Sequence, residues 1–207
     1  MRYFCYSRQE AFALDYLFRP NFFIKRKTDV IKIWLDLIRI IITVPYSSDR
    51  RNKEIIIFKN ENFKRVFFLR DNQIVSLNFP FRLIHLDNNL LRVYLKDQNI
   101  TSIELSKLQE ILNGEEFFSS CFYSDIDRIF NTQEEDRIWL LLKEILLAED
   151  GYIRYDYDME HHPDVPHHFD IFFTNNSTFK LGLRSEINLD AMIDILDRNT
   201  NIYFVNR

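Results

Sequence analysis

Four of the five histidines fall within eight residues, His161-His162-Pro163-Asp164-Val165-Pro166-His167-His168, and Phe169-Asp170 follows directly. No other stretch concentrates groups that titrate near neutral pH or ligate a metal. Two chemistries suit this composition. Neutral imidazole and carboxylate oxygen together hold a divalent ion such as Zn²⁺, Mn²⁺ or Mg²⁺. A histidine oriented by a carboxylate also works without metal, as the general acid–base pair of ribonuclease-type cleavage.

Strand alternation predicts how these groups meet, because residues two apart share a face. Strands over 152–157, 167–174 and 178–183, the last two joined around Asn175-Asn176, place Asp170 across from Lys180. One polar face then carries Arg154, Asp156, His168, Asp170 and Lys180. Ile153, Tyr155, Phe169, Ile171, Phe173, Phe179, Leu181 and Leu183 turn to the core. His161 and His162 arch over the polar face from a loop stiffened by Pro163 and Pro166. The expected catalytic set is His168, Asp170, His162, Arg154 and Lys180, with Arg154 or Lys180 holding a phosphate. The expected metal ligands are His161, His162, His168 and Asp170, and His167 is an auxiliary ligand or proton carrier.

Several chemistries are excluded by what the chain lacks. Its 3 glycines form no GxGxxG or GxxxxGK[ST], so phosphate-cradling loops are absent. A PD-(D/E)xK nuclease wants an acid two residues before its lysine, and that position is Thr178. No G-x-S-x-G is present, and neither Cys5 nor Cys121 neighbours a histidine, so Ser or Cys nucleophiles have no support.

The run Ile153-Arg-Tyr-Asp-Tyr-Asp-Met-Glu-His-His-Pro-Asp-Val-Pro-His-His-Phe-Asp170 resembles a segment of the TumE-like toxins of toxin–antitoxin pairs. Those toxins share its arginine-tyrosine-aspartate strand, histidine-proline loop and proline-histidine-histidine strand. The chain departs from their pattern at Asp170, where a histidine is expected. Roughly the last 60 residues also resemble a bacterial family of uncharacterised function and similar length, through the histidine segment, Asn176–Leu183 and Ile193–Asp197. The resemblance implies a prokaryotic origin and a toxin, mobile-element or anti-phage-defence setting.

Charge is uneven along the chain. Residues 1–70 carry 15 Lys and Arg against 7 Asp and Glu, whereas the remainder carries 12 against 24. A basic front predicts an anionic partner or the protein's own acidic half. Lys25, Arg26, Lys27, Arg50, Arg51, Lys53, Lys64 and Arg65, with Tyr46, Phe58, Phe63 and Phe67 interspersed, are the expected nucleic-acid contacts. A partner protein encoded nearby is the competing use. Two widely spaced cysteines, no signal-peptide run and no uninterrupted apolar span predict a reduced cytoplasmic protein without a membrane role.

The elements predict an α+β fold. Ser7-x-x-Glu10 is a capping box ahead of a short helix to Phe18, and Thr28 or Asp29 caps a helix to about Thr43. A central antiparallel meander follows: Glu54–Phe58, Lys64–Arg70, Gln73–Phe79, Arg82–Leu86 and Leu90–Lys96. Helices are expected over Ser106–Leu112, Tyr123–Phe130 and, after the Thr132-x-x-Glu135 box, about Gln133–Ala148. The end reads β-loop-β-β-α-β, with Asn188 capping a helix and Asn201–Val205 closing. A basic lobe over 1–100 and a lobe over 101–207 carrying the histidines are the expected halves, or one continuous domain. The functional expectation is a conflict-system hydrolase or nuclease acting on nucleic acid or a nucleotide. The alternative is a non-catalytic adaptor that binds a partner protein or nucleic acid in a defence complex.

Overall fold

The computed structural model describes residues 2–19, 22–61, 63–113, 133–174, 177–197 and 200. The fold is α+β, and every strand pairing among the described residues is antiparallel. Two compact units divide the chain. One comprises Met1–Arg26, Ser47–Phe79 and Asp150–Arg207, and the other Lys27–Tyr46 and Pro80–Glu149. No helix among the described residues is long and apolar enough to cross a membrane.

The first unit is built on a seven-stranded sheet. Its strands in chain order are β1 (Arg2–Tyr6), β2 (Ile55–Lys59), β3 (Lys64–Arg70), β4 (Gln73–Asn78), β8 (Ile153–Tyr157), β9 (His167–Thr174) and β10 (Ser177–Leu183), and that is also their order in space. β2 to β4 form only the first three strands of the expected five-stranded meander. The hairpin after them leaves for a different sheet, and β8 takes the place beside β4, with Gln73 opposite Asp156 and Val75 opposite Arg154. Between Tyr6 and the Phe12–Phe18 3-10 helix, the predicted capping box closes: Ser7 N–H donates to Glu10 Oε2 at 2.6 Å and Glu10 N–H to Ser7 Oγ at 3.3 Å.

Register gives the sheet two unlike faces. On one, Cys5, Ile56, Phe58, Phe67, Ile153, Tyr155, Phe169 and Leu183 join Met192 and Ile193 of α4 (Leu189–Leu196) in a buried cluster. Asn188 starts α4 as predicted, its Oδ1 accepting from Ala191 N–H at 2.9 Å. Phe179 was expected inside but is 59% exposed, on β10 beside the register shift between Ser177 and Phe179. The opposite face is apolar across β1 to β4 and turns polar at β8, β9 and β10, and the candidate site lies there.

The second unit packs α1 (Lys27–Thr43), α2 (Ser102–Asn113) and α3 (Gln133–Leu147) with a three-stranded sheet of β5 (Arg82–His85), β6 (Leu91–Leu95) and β7 (Gln98–Asn99). Asn88 and Asn89 take positive φ at the β5–β6 connection, as turn asparagines can. α2 begins four residues ahead of the expected Ser106, because Thr101 and Glu104 cap it: Glu104 Oε2 accepts from Thr101 N–H at 2.9 Å and from its hydroxyl. The expected Tyr123–Phe130 helix, the cap at Thr132, Cys121, the Asn175-Asn176 turn and the Asn201–Val205 strand lie outside the described residues.

Candidate functional site

Three strands bring the polar groups together. Asp156 pairs with His168 and Arg154 with Asp170 across β8 and β9, and Asp170 pairs with Lys180 across β9 and β10, as the alternation predicted. Asp156, His168 and Asp170 are only 4%, 6% and 5% exposed, so this is a polar cluster withdrawn from water. Counting one ligand atom from each, the three lie within 4.8 Å of one another.

Arg154 organises the two carboxylates. Its Nε donates to Asp156 Oδ2 at 2.7 Å and its Nη2 to Asp170 Oδ2 at 2.5 Å. Each acid therefore has one oxygen pinned. The other oxygens, Asp156 Oδ1 and Asp170 Oδ1, have no hydrogen-bond partner, and neither does His168 Nδ1. Gln73 Oε1, on the strand position facing Asp156, is unpaired as well. Buried polar atoms without partners are rare and costly, and four on one patch of one sheet face are not a packing accident. Burial pushes the Asp156 carboxyl above its ordinary range, and the neighbouring Asp170 charge adds to this, against the pull of Arg154. Burial also raises the Tyr152 hydroxyl, to about 12.

The loop between β8 and β9 folds back over this face. Asp158 N–H donates to Pro166 O at 2.8 Å, closing the loop at its base. Val165 reaches over β10 at Gly182, where a Cβ would stand 2.6 Å from Val165 Cγ1. His162 comes with the loop: its ring lies edge-on to His168, centroids 5.2 Å apart, and its Nε2 is 3.4 Å from Lys180 Nζ. Lys180 Nζ is 3.9 Å from Asp170 Oδ1 and half exposed. Asp156, His168, Arg154 and Lys180 line a cleft of about 530 Å³, to which Arg8, Phe23, Arg70 and Asp71 also contribute.

The structure divides the histidines predicted to act together. His168 is central and His162 adjoins it. His161 is exposed and turned to Asp158, whose Oδ1 accepts from its backbone N–H and sits 3.0 Å from its Nδ1. That contact raises the His161 pKa. His167 is on the opposite sheet face, with Nδ1 2.7 Å from the Tyr155 hydroxyl, since the residue before His168 must point the other way. Asp156 completes the cluster. Alternation placed it on this face, but the loop histidines drew the ligand roles away from it. Gln73 had no signal at all, because its neighbourhood arises only when β4 pairs with β8.

The basic front does not assemble as expected. Arg65 is 9% exposed, its Nε donating to Ser76 Oγ at 2.8 Å and its Nη2 to Gly151 O, and burial lowers its pKa to about 10. A guanidinium spent on the interior of a sheet is not available to nucleic acid. Arg50 pairs with Asp190, Arg51 with Asp49 and Lys53 with Glu10. Lys25, Arg26, Lys27 and Lys64 are likewise engaged in interactions of their own.

No family model, curated protein or solved structure significantly matches the chain.

Proposed function

We propose that the chain is a hydrolase of a prokaryotic conflict system, a toxin or anti-phage effector, that cleaves a phosphoester bond in a nucleic acid or nucleotide. The observation that carries this reading is the convergence of Asp156, His168 and Asp170, each almost wholly buried and each with one unpaired polar atom, beside a cleft that Asp156 and His168 line. Unsatisfied, desolvated titratable groups of this kind are assembled for chemistry at a cost in stability. Arg154 is a positioning residue that fixes both carboxylates. Lys180, half exposed at the rim, is the cation for a substrate phosphate.

The reaction is hydrolysis. A water held at the cluster gives up a proton there and attacks phosphorus, the phosphorus–oxygen ester bond breaks, and the leaving oxygen takes a proton from Lys180 or solvent. The resemblance of residues 153–170 to TumE-like toxins supports the setting. The test is incubation of the purified chain with RNA, single- and double-stranded DNA and nucleoside triphosphates, alongside His168→Ala, with folding checked by circular dichroism. Cleavage of one substrate class by the wild type and its loss in the variant is the expected result. Equal cleavage by both proteins would end the reading. Inert protein that copurifies with a partner would favour the adaptor instead.

A further inference from the structure

We propose that Asp156, His168 and Asp170 together hold a single divalent transition-metal ion. The inference deepens the hydrolase reading and rests on it only for what the ion would do, since binding can be measured without substrate.

Two carboxylates are buried here against one buried guanidinium, so the patch is short of positive charge where water cannot supply the balance. Lys180 does not close the gap, standing 3.9 Å from Asp170 with half of its side chain in solvent. A proton on one oxygen would offset the charge but could satisfy only one of the unpaired atoms. A cation accepts lone pairs from two carboxylate oxygens and an imidazole nitrogen at once, and those groups lie within 4.8 Å of one another before any ion draws them in. Arg154 already fixes one oxygen of each carboxylate, as partners beyond the ligands do in metal sites. Three protein ligands beside a cleft leave positions open for water and substrate, the pattern of catalytic rather than structural sites.

The donor set selects the ion. One imidazole with two carboxylates suits Mn²⁺, Fe²⁺ or Zn²⁺ better than Mg²⁺, which keeps its water and prefers oxygen alone. The chemistry such an ion would supply is acidification of water at the site of attack. His161, spent on Asp158 and exposed, is not a ligand.

The experiment is titration of the EDTA-stripped, dialysed full chain with Mn²⁺, followed by loss of the free-ion electron paramagnetic resonance signal. The expected result is one ion per chain, unaffected by His161→Ala and weakened at least about 100-fold by Asp156→Asn or His168→Gln. That is the upper end of what loss of a mere supporting partner costs. Should those variants fold poorly, pulsed resonance on the wild type decides: a bound imidazole nitrogen modulates the Mn²⁺ echo, and ¹⁵N-histidine labelling shifts that modulation. Absence of binding at millimolar Mn²⁺, binding indifferent to His168→Gln, or an echo with no histidine nitrogen would each overturn the site. A protein that binds no Mn²⁺ yet still hydrolyses would overturn this inference alone. A metal-binding protein that hydrolyses nothing would overturn only the hydrolase reading.

Discussion

Gly182→Ala probes how the histidine loop is held. Gly182 lies opposite His168 on β10, and a Cβ there would meet Val165 Cγ1 at 2.6 Å. Carbon atoms pack at about 3.5–4.0 Å, so the loop would have to rise by roughly 1 Å. Overpacking of this kind costs about 1–3 kcal/mol. For a chain of this size that is a fall in melting temperature of roughly 2–12 °C, at about 2–4 °C per kcal/mol. The sign is diagnostic. Gly182 has no positive φ, and where the backbone accepts alanine and space is free, the same change stabilises by about 0.4–1 kcal/mol. Val165→Ala removes the obstructing methyl, so the double variant should recover most of the loss. The assay is thermal melting of the four proteins by far-ultraviolet circular dichroism, with hydrogen exchange followed at the Asp158 and Val165 amides, which bond to Pro166 O and His162 O. Faster exchange at both amides in Gly182→Ala is expected. A Gly182→Ala protein as stable as wild type, or penalties that simply add in the double variant, would refute the packing of the loop on β10.

Three further outcomes are expected. Arg154→Met leaves two buried carboxylates without their cation and should cost about 3–5 kcal/mol in urea melts; adding Asp156→Asn should return part of it, and no recovery would mean the guanidinium acts through packing. In the second unit, burial works to raise the Glu104 carboxyl, but the Thr101 amide and hydroxyl and the Arg137 guanidinium outweigh it and hold it below its ordinary 4.5. A depressed carboxyl stabilises fully above its unfolded pKa and loses that contribution as pH falls through its folded one. Glu104→Gln should therefore be less stable than wild type at pH 7 by about 1 kcal/mol, a gap that closes under acid and whose persistence there would discount the charge. Finally, burial lifts the Cys5 thiol from 9.0 to about 11. In a Cys121→Ser background its alkylation by iodoacetamide at pH 8 should run about 100-fold slower folded than in urea, in proportion to thiolate; equal rates would contradict its burial.

Where local pattern decides, the sequence could be read. The alternation through Arg154, Asp156, His168, Asp170 and Lys180 foretold their common face, whereas Thr174 pairs with Ser177 and it is the register shift between Ser177 and Phe179 that brings Asp170 opposite Lys180. Ser7 and Glu10, Asn188, and the asparagines at 88 and 89 announced their caps and turn. Pairing between distant strands was not legible. Nothing in Gln73–Asn78 says that its second neighbour is β8 rather than the hairpin that follows in sequence. β1 was missed because Arg-Tyr-Phe-Cys-Tyr is large and apolar almost throughout, without the period of two that marks a half-exposed strand. Thr101-x-x-Glu104 was a visible cap passed over, so α2 was begun too late. Within the site, four clustered histidines look like a ligand set, yet His161 is bonded to Asp158 of its own turn and His167 must face away from His168. A count of charges in the basic front likewise cannot tell Arg65, inside a sheet, from a cation in solvent.

That consecutive pair supplies the most direct test of the central claim. His167 and His168 are adjacent in sequence and on opposite sides of the sheet. On whichever phosphoester substrate the wild type cleaves, His168→Gln should lower kcat/KM by at least about 100-fold, the range of a lost acid, base or activating group, while His167→Gln stays within about twofold of wild type. Equal losses in the two variants, or a loss confined to His167→Gln, would contradict the assignment of chemistry to the Asp156–His168–Asp170 face.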